Sequence, residues 1–141
     1  MLLNKTEFFA MNNPVRAFIQ DKIEAYNLRK LSDLEDGKTI LEIGCGNGKG
    51  TKLIRKYFHP KKVYAIDLDK KMIDIAVKNY KDSSILFEVG DASSLRFKEN
   101  QFDAIFDFGI IHHIPNWKDC LKELKRVIET RRAINIRRFV Y

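Results

Sequence analysis

Cysteine, histidine and long apolar runs are all scarce in this chain, and each scarcity removes a class of function. Its 141 residues hold two cysteines, Cys45 and Cys120, too few for a disulfide framework and without the spacing of a metal pair, so both are expected to be free and reduced. The three histidines, His59, His112 and His113, are too few and too badly spaced for a metal centre, and no metal is expected. No apolar run approaches the roughly 18 residues of a membrane span. The start, Met1-Leu2-Leu3-Asn4-Lys5-Thr6-Glu7, lacks the charged-then-apolar pattern of a secretory signal. A cytoplasmic protein with no membrane span is the simplest expectation. Basic stretches interleaved with aromatics are also missing, so the net charge of +7 reads as a dispersed, solvated lysine surface rather than a nucleic-acid groove.

What is present is ordinary for a globular domain. With 45% hydrophobic and 32% charged residues, residues 1–141 are expected to form one domain that buries about two thirds of its unfolded surface. Asn13-Pro14 caps an amphipathic helix running to about Leu31, with Val15, Phe18, Ile19, Ile23 and Tyr26 on one face. After the polar connector Ser32 to Lys38 the pattern alternates. Strands are expected at Thr39 to Ile43, Lys62 to Ile66, Ile85 to Val89 and Phe102 to Phe106. Helices are expected at Lys49 to Phe58, stopped by His59-Pro60, after the capping Asp69, and after the capping Asn116. In the last of these, Trp117, Leu121, Leu124 and Ile128 share a face, and Trp117 reads as core. Near-continuous apolar strands alternating with helices predict an α/β, Rossmann-like, doubly wound, mostly parallel sheet with helices on both faces. Ligands bind such sheets at the carboxyl ends of the strands.

Strand one runs into Gly44-Cys45-Gly46-Asn47-Gly48, a loop whose alternating glycines let a ligand approach the backbone. A dinucleotide fingerprint would place a third glycine where Lys49 stands. A Walker loop fails as well, because Gly48-Lys49 is followed by Gly50 and the residue five before Gly48 is Ile43. The other strand ends carry Asp67, Asp91 within Gly90-Asp91-Ala92, and Asp107-Phe108-Gly109. An acid about 20 residues beyond a glycine loop is placed to accept from ribose hydroxyls. Asp91 is suited either to an exocyclic amine, as on an adenine edge, or to capping its own turn.

The motifs Leu41-Glu42-Ile43-Gly44-Cys45-Gly46-Asn47-Gly48, Val63-Tyr64-Ala65-Ile66-Asp67-Leu68-Asp69, Val89-Gly90-Asp91-Ala92, and Phe102-Asp103-Ala104-Ile105 followed by His112-His113-Ile114 occur in that order. On them the chain resembles the class I S-adenosylmethionine-dependent methyltransferases, in particular the small-molecule branch that includes ubiquinone and menaquinone biosynthesis enzymes. The resemblance covers about residues 38–128. It implies S-adenosyl-L-methionine as cofactor, S-adenosyl-L-homocysteine as product, and a small-molecule methyl acceptor. It also implies that Gly44, Cys45 and Gly46 pass under the methionine part and that Glu42 faces its amino end. Asp67 would hold the ribose, Leu68 and Met72 pack on adenine, Asp91 and the Ala92 N–H read its edge, and Asp107-Phe108 line the sulfonium. His112 and His113 are the weak candidates for a general base, the alternative being wall residues of the pocket. Motifs for amino-directed nucleic-acid or cytosine-C5 transfer do not occur. A catalytically silent cofactor-binding or interaction module is the alternative from a different class, and an RNA methyltransferase rests on net charge alone.

The pattern departs from the resemblance after Ile128. Relatives continue with a proline-glycine turn, a fifth strand and an antiparallel hairpin, whereas here Glu129 to Tyr141 form an atypical tail that reads equally as strand or helix. A C-terminally shortened sheet lacking the hairpin is therefore expected. Its unpaired apolar edge predicts a homo-oligomer formed through the tail.

Overall fold

A computed structural model describes Ile23 and residues 25–128. Four strands, β1 (Thr39–Ile43), β2 (Lys62–Asp67), β3 (Ile85–Val89) and β4 (Ala104–Asp107), form an all-parallel sheet in the order β3-β2-β1-β4. The chain steps outward from β1 to β3, then crosses back to place β4 on the other side of β1. The direction of winding therefore reverses between β1 and β4, where such sheets open a crevice at their carboxyl ends. Register brings those ends level, since Ile43 lies opposite both Ile66 and Asp107, and Asp67 lies opposite Val89.

Alternation along β1 assigns its side chains to two cores. Leu41 and Ile43 join Ile66, Leu95, Phe102, Ile105, Leu124 and Val127 on one face. Ile40 joins Val63, Ala65, Phe106, Ile54, Phe58 and Ile73 on the other. Helices α1 (Tyr26–Leu31), α2 (Lys49–Phe58) and α3 (Lys70–Asn79) supply the second face, and α4 (Trp117–Val127) supplies the first. Four of the five β1 side chains are buried, which is what a central parallel strand requires. Burial of each large aliphatic side chain stabilises the fold by about 1.5–3 kcal/mol. Among the described residues no helix is long and apolar enough to cross a membrane.

Several expectations need correction. Strand four begins at Ala104 rather than Phe102, because the Phe102 N–H donates to the Val127 carbonyl at 3.0 Å and Phe102 bridges Ile128. Trp117 is 47% exposed; the buried stripe of α4 starts one turn later at Cys120, and the indole lies beside Lys118. Ile23 and Tyr26 are exposed, and Ala25 and Leu28 face inward instead. Asn116 stands at the start of α4, but its carbonyl, not its side chain, takes the first N–H groups. Residues 13–22 of the expected first helix, the tail 129–141 and the association assigned to it lie outside the described residues.

Candidate functional site

The loop after β1 turns on three glycines with φ of +66°, +53° and +86° at Gly44, Gly46 and Gly48, a left-handed backbone that side chains with a Cβ adopt at a cost. Gly44 is required twice over, because a Cβ there would lie 2.6 Å from that of Ile110. The loop is pinned to β2 by its own amides. The Cys45 N–H donates to the Ile66 carbonyl at 3.0 Å, and the Gly46 N–H donates to Asp67 Oδ2 at 2.8 Å. The other Asp67 oxygen, Oδ1, accepts from the Asp69 N–H at 2.8 Å, and Asp69 in turn caps α3 by accepting from the Lys71 N–H. Asp67 therefore joins the glycine loop to the turn that starts α3, and each of its oxygens keeps a lone pair for a ligand.

Glu42, expected at the amino end of the methionine part, is enclosed on β1. It is 1% exposed and lies on the α2 face of β1, where it accepts a short hydrogen bond from the Thr51 hydroxyl. Its Oε1 sits against Gly50, and a Cβ at that position would collide with it and with the Phe108 ring. Burial pushes its carboxyl up to about 8, the Thr51 bond lowers it in part, and Asp67 and Asp107 raise it further. Burial, with Glu42 and Asp67 nearby, drives the Cys45 thiol far above its usual range, which removes it as a nucleophile. Both cysteines are free and buried.

The remaining strand ends are ordered by carboxylates folding back on the chain. Asp107 Oδ1 accepts from the Gly109 and Ile110 N–H groups at 2.8 and 2.6 Å, which turns the chain after β4 and brings Ile110 onto Gly44. Asp91 Oδ1 accepts from the Ser93 N–H and hydroxyl at 2.8 and 2.6 Å, the turn-capping arrangement. Beside it Ala92 is buried. Leu68 is exposed next to Asp67, whereas Met72 is packed into the core. His112 and His113 occupy an exposed single turn, Ile111–His113, with ring centroids 3.9 Å apart. They lie after the strand-four turn, where the His112 ring comes within 3.7 Å of the place a Cβ on Gly109 would take. Among the described residues no group of three or more His, Cys, Asp or Glu is arranged to hold a metal ion.

Thr51, Gly50 and Ile110 were not among the residues expected from the sequence. Thr51 carried a usable signal, since it lies three and seven residues before the inward-facing Ile54 and Phe58 and so belongs to the same helical stripe. Gly50 and Ile110 carried none, because each matters through a contact between distant segments.

Residues 41–131 match the pattern of the methyltransferase domain family. The fatty-acid O-methyltransferase of Mycolicibacterium smegmatis is 31% identical over 93 residues, 66% of this chain and 34% of that protein. Phosphoethanolamine N-methyltransferase 2 of Caenorhabditis elegans is 30% identical over 105 residues, 72% of this chain and 24% of that protein. The chain thus spans about a third or less of the length of these curated relatives. In structure, a SAM-dependent methyltransferase from Aquifex aeolicus superposes with a TM-score of 0.76 at 22% identity, covering 91% of this chain and 69% of that one. Haemonchus contortus phosphoethanolamine N-methyltransferase 2, solved with phosphomonomethylethanolamine and S-adenosylhomocysteine, superposes with a TM-score of 0.67 at 27% identity over 72% of this chain and 24% of that one. With the parallel sheet, its switch point and the glycine loop, these likenesses place the chain in the class I S-adenosylmethionine-dependent methyltransferase family.

Proposed function

We propose that this domain binds S-adenosylmethionine along the carboxyl edge of β1, β2 and β3 and serves methyl transfer to a small-molecule acceptor. The observation that carries the reading is the Asp67 carboxylate bound to the glycine loop through the Gly46 N–H, which sets a ribose-suited acid beside a backbone cradle. The donor set fits the cofactor. The strand-end segments Gly44 to Gly48, Asp67 to Asp69, Gly90 to Ser93 and Asp107 to Ile110 contain acids and no lysine or arginine, which suits a cationic nucleoside without phosphates. When bound, that group supplies an electrophilic methyl carbon on a sulfonium.

In this reading Asp67 accepts from the ribose hydroxyls with its free lone pairs, and Glu42 faces the amino end of the methionine part. Gly44, Cys45 and Gly46 lie beneath that part, and exposed Leu68 covers adenine, with Met72 supporting it from the core. Asp91 Oδ2, which makes no bond among the described residues, and the Ala92 N–H meet the adenine edge. The backbone at Asp107 and Phe108 borders the sulfonium. The protein's contribution to the chemistry is alignment and exclusion of water. Small molecules are supported as acceptors by the relatives, named for transfer to fatty acids, phthiotriols and phosphoethanolamine. One observation favours a module that binds without turnover: His112 and His113 are exposed with their rings tilted 42° to each other, and no carboxylate orients either ring among the described residues.

Calorimetric titration with S-adenosylhomocysteine tests the reading. Folded wild type binds, and Asp67→Ala, with its fold checked by circular dichroism, binds about 10- to 100-fold more weakly, the size expected for lost hydrogen bonds to a charged group. Absence of binding by folded wild type contradicts it. Methyl release with a panel of lipid and amine acceptors then separates an enzyme from a binding module.

A further inference from the structure

Glu42 lies on the central strand, and among the described residues no cation acts on its carboxyl. From β2 it is faced by Asp67, from β4 by Asp107, from the loop by the Cys45 thiol, and from α2 by the Thr51 hydroxyl. Oε2 takes the Thr51 bond, while Oε1 makes no hydrogen bond among the described residues and rests against Gly50. An ionised carboxylate there is desolvated, repelled by two acids and supported by a single donor. Two things relieve it. One is a proton, and the other is a positive charge brought by a ligand.

Building on the cofactor reading above, we propose that the Glu42–Thr51 pair makes recognition of the methionine end proton-linked: Glu42 is neutral in the ligand-free protein and releases its proton to solvent when the ligand's α-ammonium group arrives. The bond broken is O–H of the Glu42 carboxyl, the proton passes to water or buffer, and the ion pair left behind is neutral overall. Thr51 is the positioning residue, fixing one carboxylate oxygen so that the other stays available to the cation. Discrimination follows from the same exchange. A nucleoside ligand with an ammonium group binds more tightly as pH rises, and one without it does not.

The test is calorimetry on the full chain at pH 6, 7 and 8, in pairs of buffers with different ionisation enthalpies, using S-adenosylhomocysteine and 5′-methylthioadenosine, which lacks the amino-acid portion. For S-adenosylhomocysteine the expected result is release of most of a proton at pH 7 and an affinity rising about tenfold from pH 6 to 7 and about fivefold more from pH 7 to 8. Methylthioadenosine is expected to release none. Glu42→Gln is expected to bind S-adenosylhomocysteine without proton release and with a flat pH profile. Thr51→Val, which removes the donor and keeps the shape, is expected to carry the pH-dependent rise to higher pH. Binding by wild type without proton release, or release that persists in Glu42→Gln, overturns the proposal while leaving the cofactor reading intact. Failure of wild type to bind either ligand overturns both.

Discussion

The two halves of the carboxyl edge are built differently. Around β1 and β2 the working groups are backbone amides and buried or half-buried carboxylates held in one network of short contacts: Gly46 to Asp67, Asp67 to Asp69, Thr51 to Glu42. Beyond β4 the side chains with chemical potential stand in solvent, with His112, His113 and Trp117 all exposed. A pocket for a fixed cofactor gains from preorganisation, because each group already ordered costs nothing further to order on binding. A wall for a variable acceptor does not need the same rigidity until the acceptor arrives. In the reading proposed above, the first region is the donor half and the second borders the acceptor; the chain spans about a third or less of the length of its curated relatives.

Substitutions should break the two halves unequally. The largest effect is expected from Gly44→Ala, which combines a left-handed φ of +66° with overlap on Ile110. It should cost about 3 kcal/mol or more, seen as a lower urea midpoint, with cofactor binding lost alongside.

Next comes the pH dependence of stability set by Glu42. Its folded carboxyl, at about 8, lies above the ordinary 4.5. Its contribution is therefore fully present below the unfolded value and is lost as pH rises toward the folded one. Wild type should lose stability between pH 5 and 8, at most about 1.4 kcal/mol per unit, and Glu42→Gln should not. Asp82 and Glu123, lowered by bonds to Ser84 and Arg126 respectively, act below this window and do not mask it. A wild-type urea midpoint that holds steady from pH 5 to 8 would sink the assignment.

The smallest effects belong to the far half. His112→Ala and His113→Ala should leave S-adenosylhomocysteine affinity within about twofold, since both rings are exposed and neither bonds a strand-end carboxylate among the described residues. A tenfold loss would place the histidines in the donor half and erase the distinction.

The same division describes what could be read in advance. Strands one and three and the helix after the glycine loop fall where spacing and punctuation put them, because a buried parallel strand is apolar throughout and His59-Pro60 is an unambiguous stop. Asp69 takes the cap of α3 as expected, which left Asp67 free for the loop. What escaped depended on contacts across the chain. The shift of strand four comes from Phe102 bonding outward to Val127, and the exposure of Trp117 from the buried stripe of α4 beginning at Cys120. The Glu42 environment was out of reach for the same reason. Its acid was plain in the sequence, but its desolvation depends on Gly50, Thr51 and two other strands meeting around it.

Whether the carboxyl edge of β1 and β2 holds the cofactor is decided by amide NMR during titration with S-adenosylhomocysteine. Saturable shifts are expected at Gly44 to Gly48, Asp67, Leu68, Asp91, Ala92 and Phe108, with the amides of α1 and the last turns of α4 unmoved. Saturation with those loop amides unchanged, or shifts confined to the histidine turn and α4, would contradict cofactor binding at that edge.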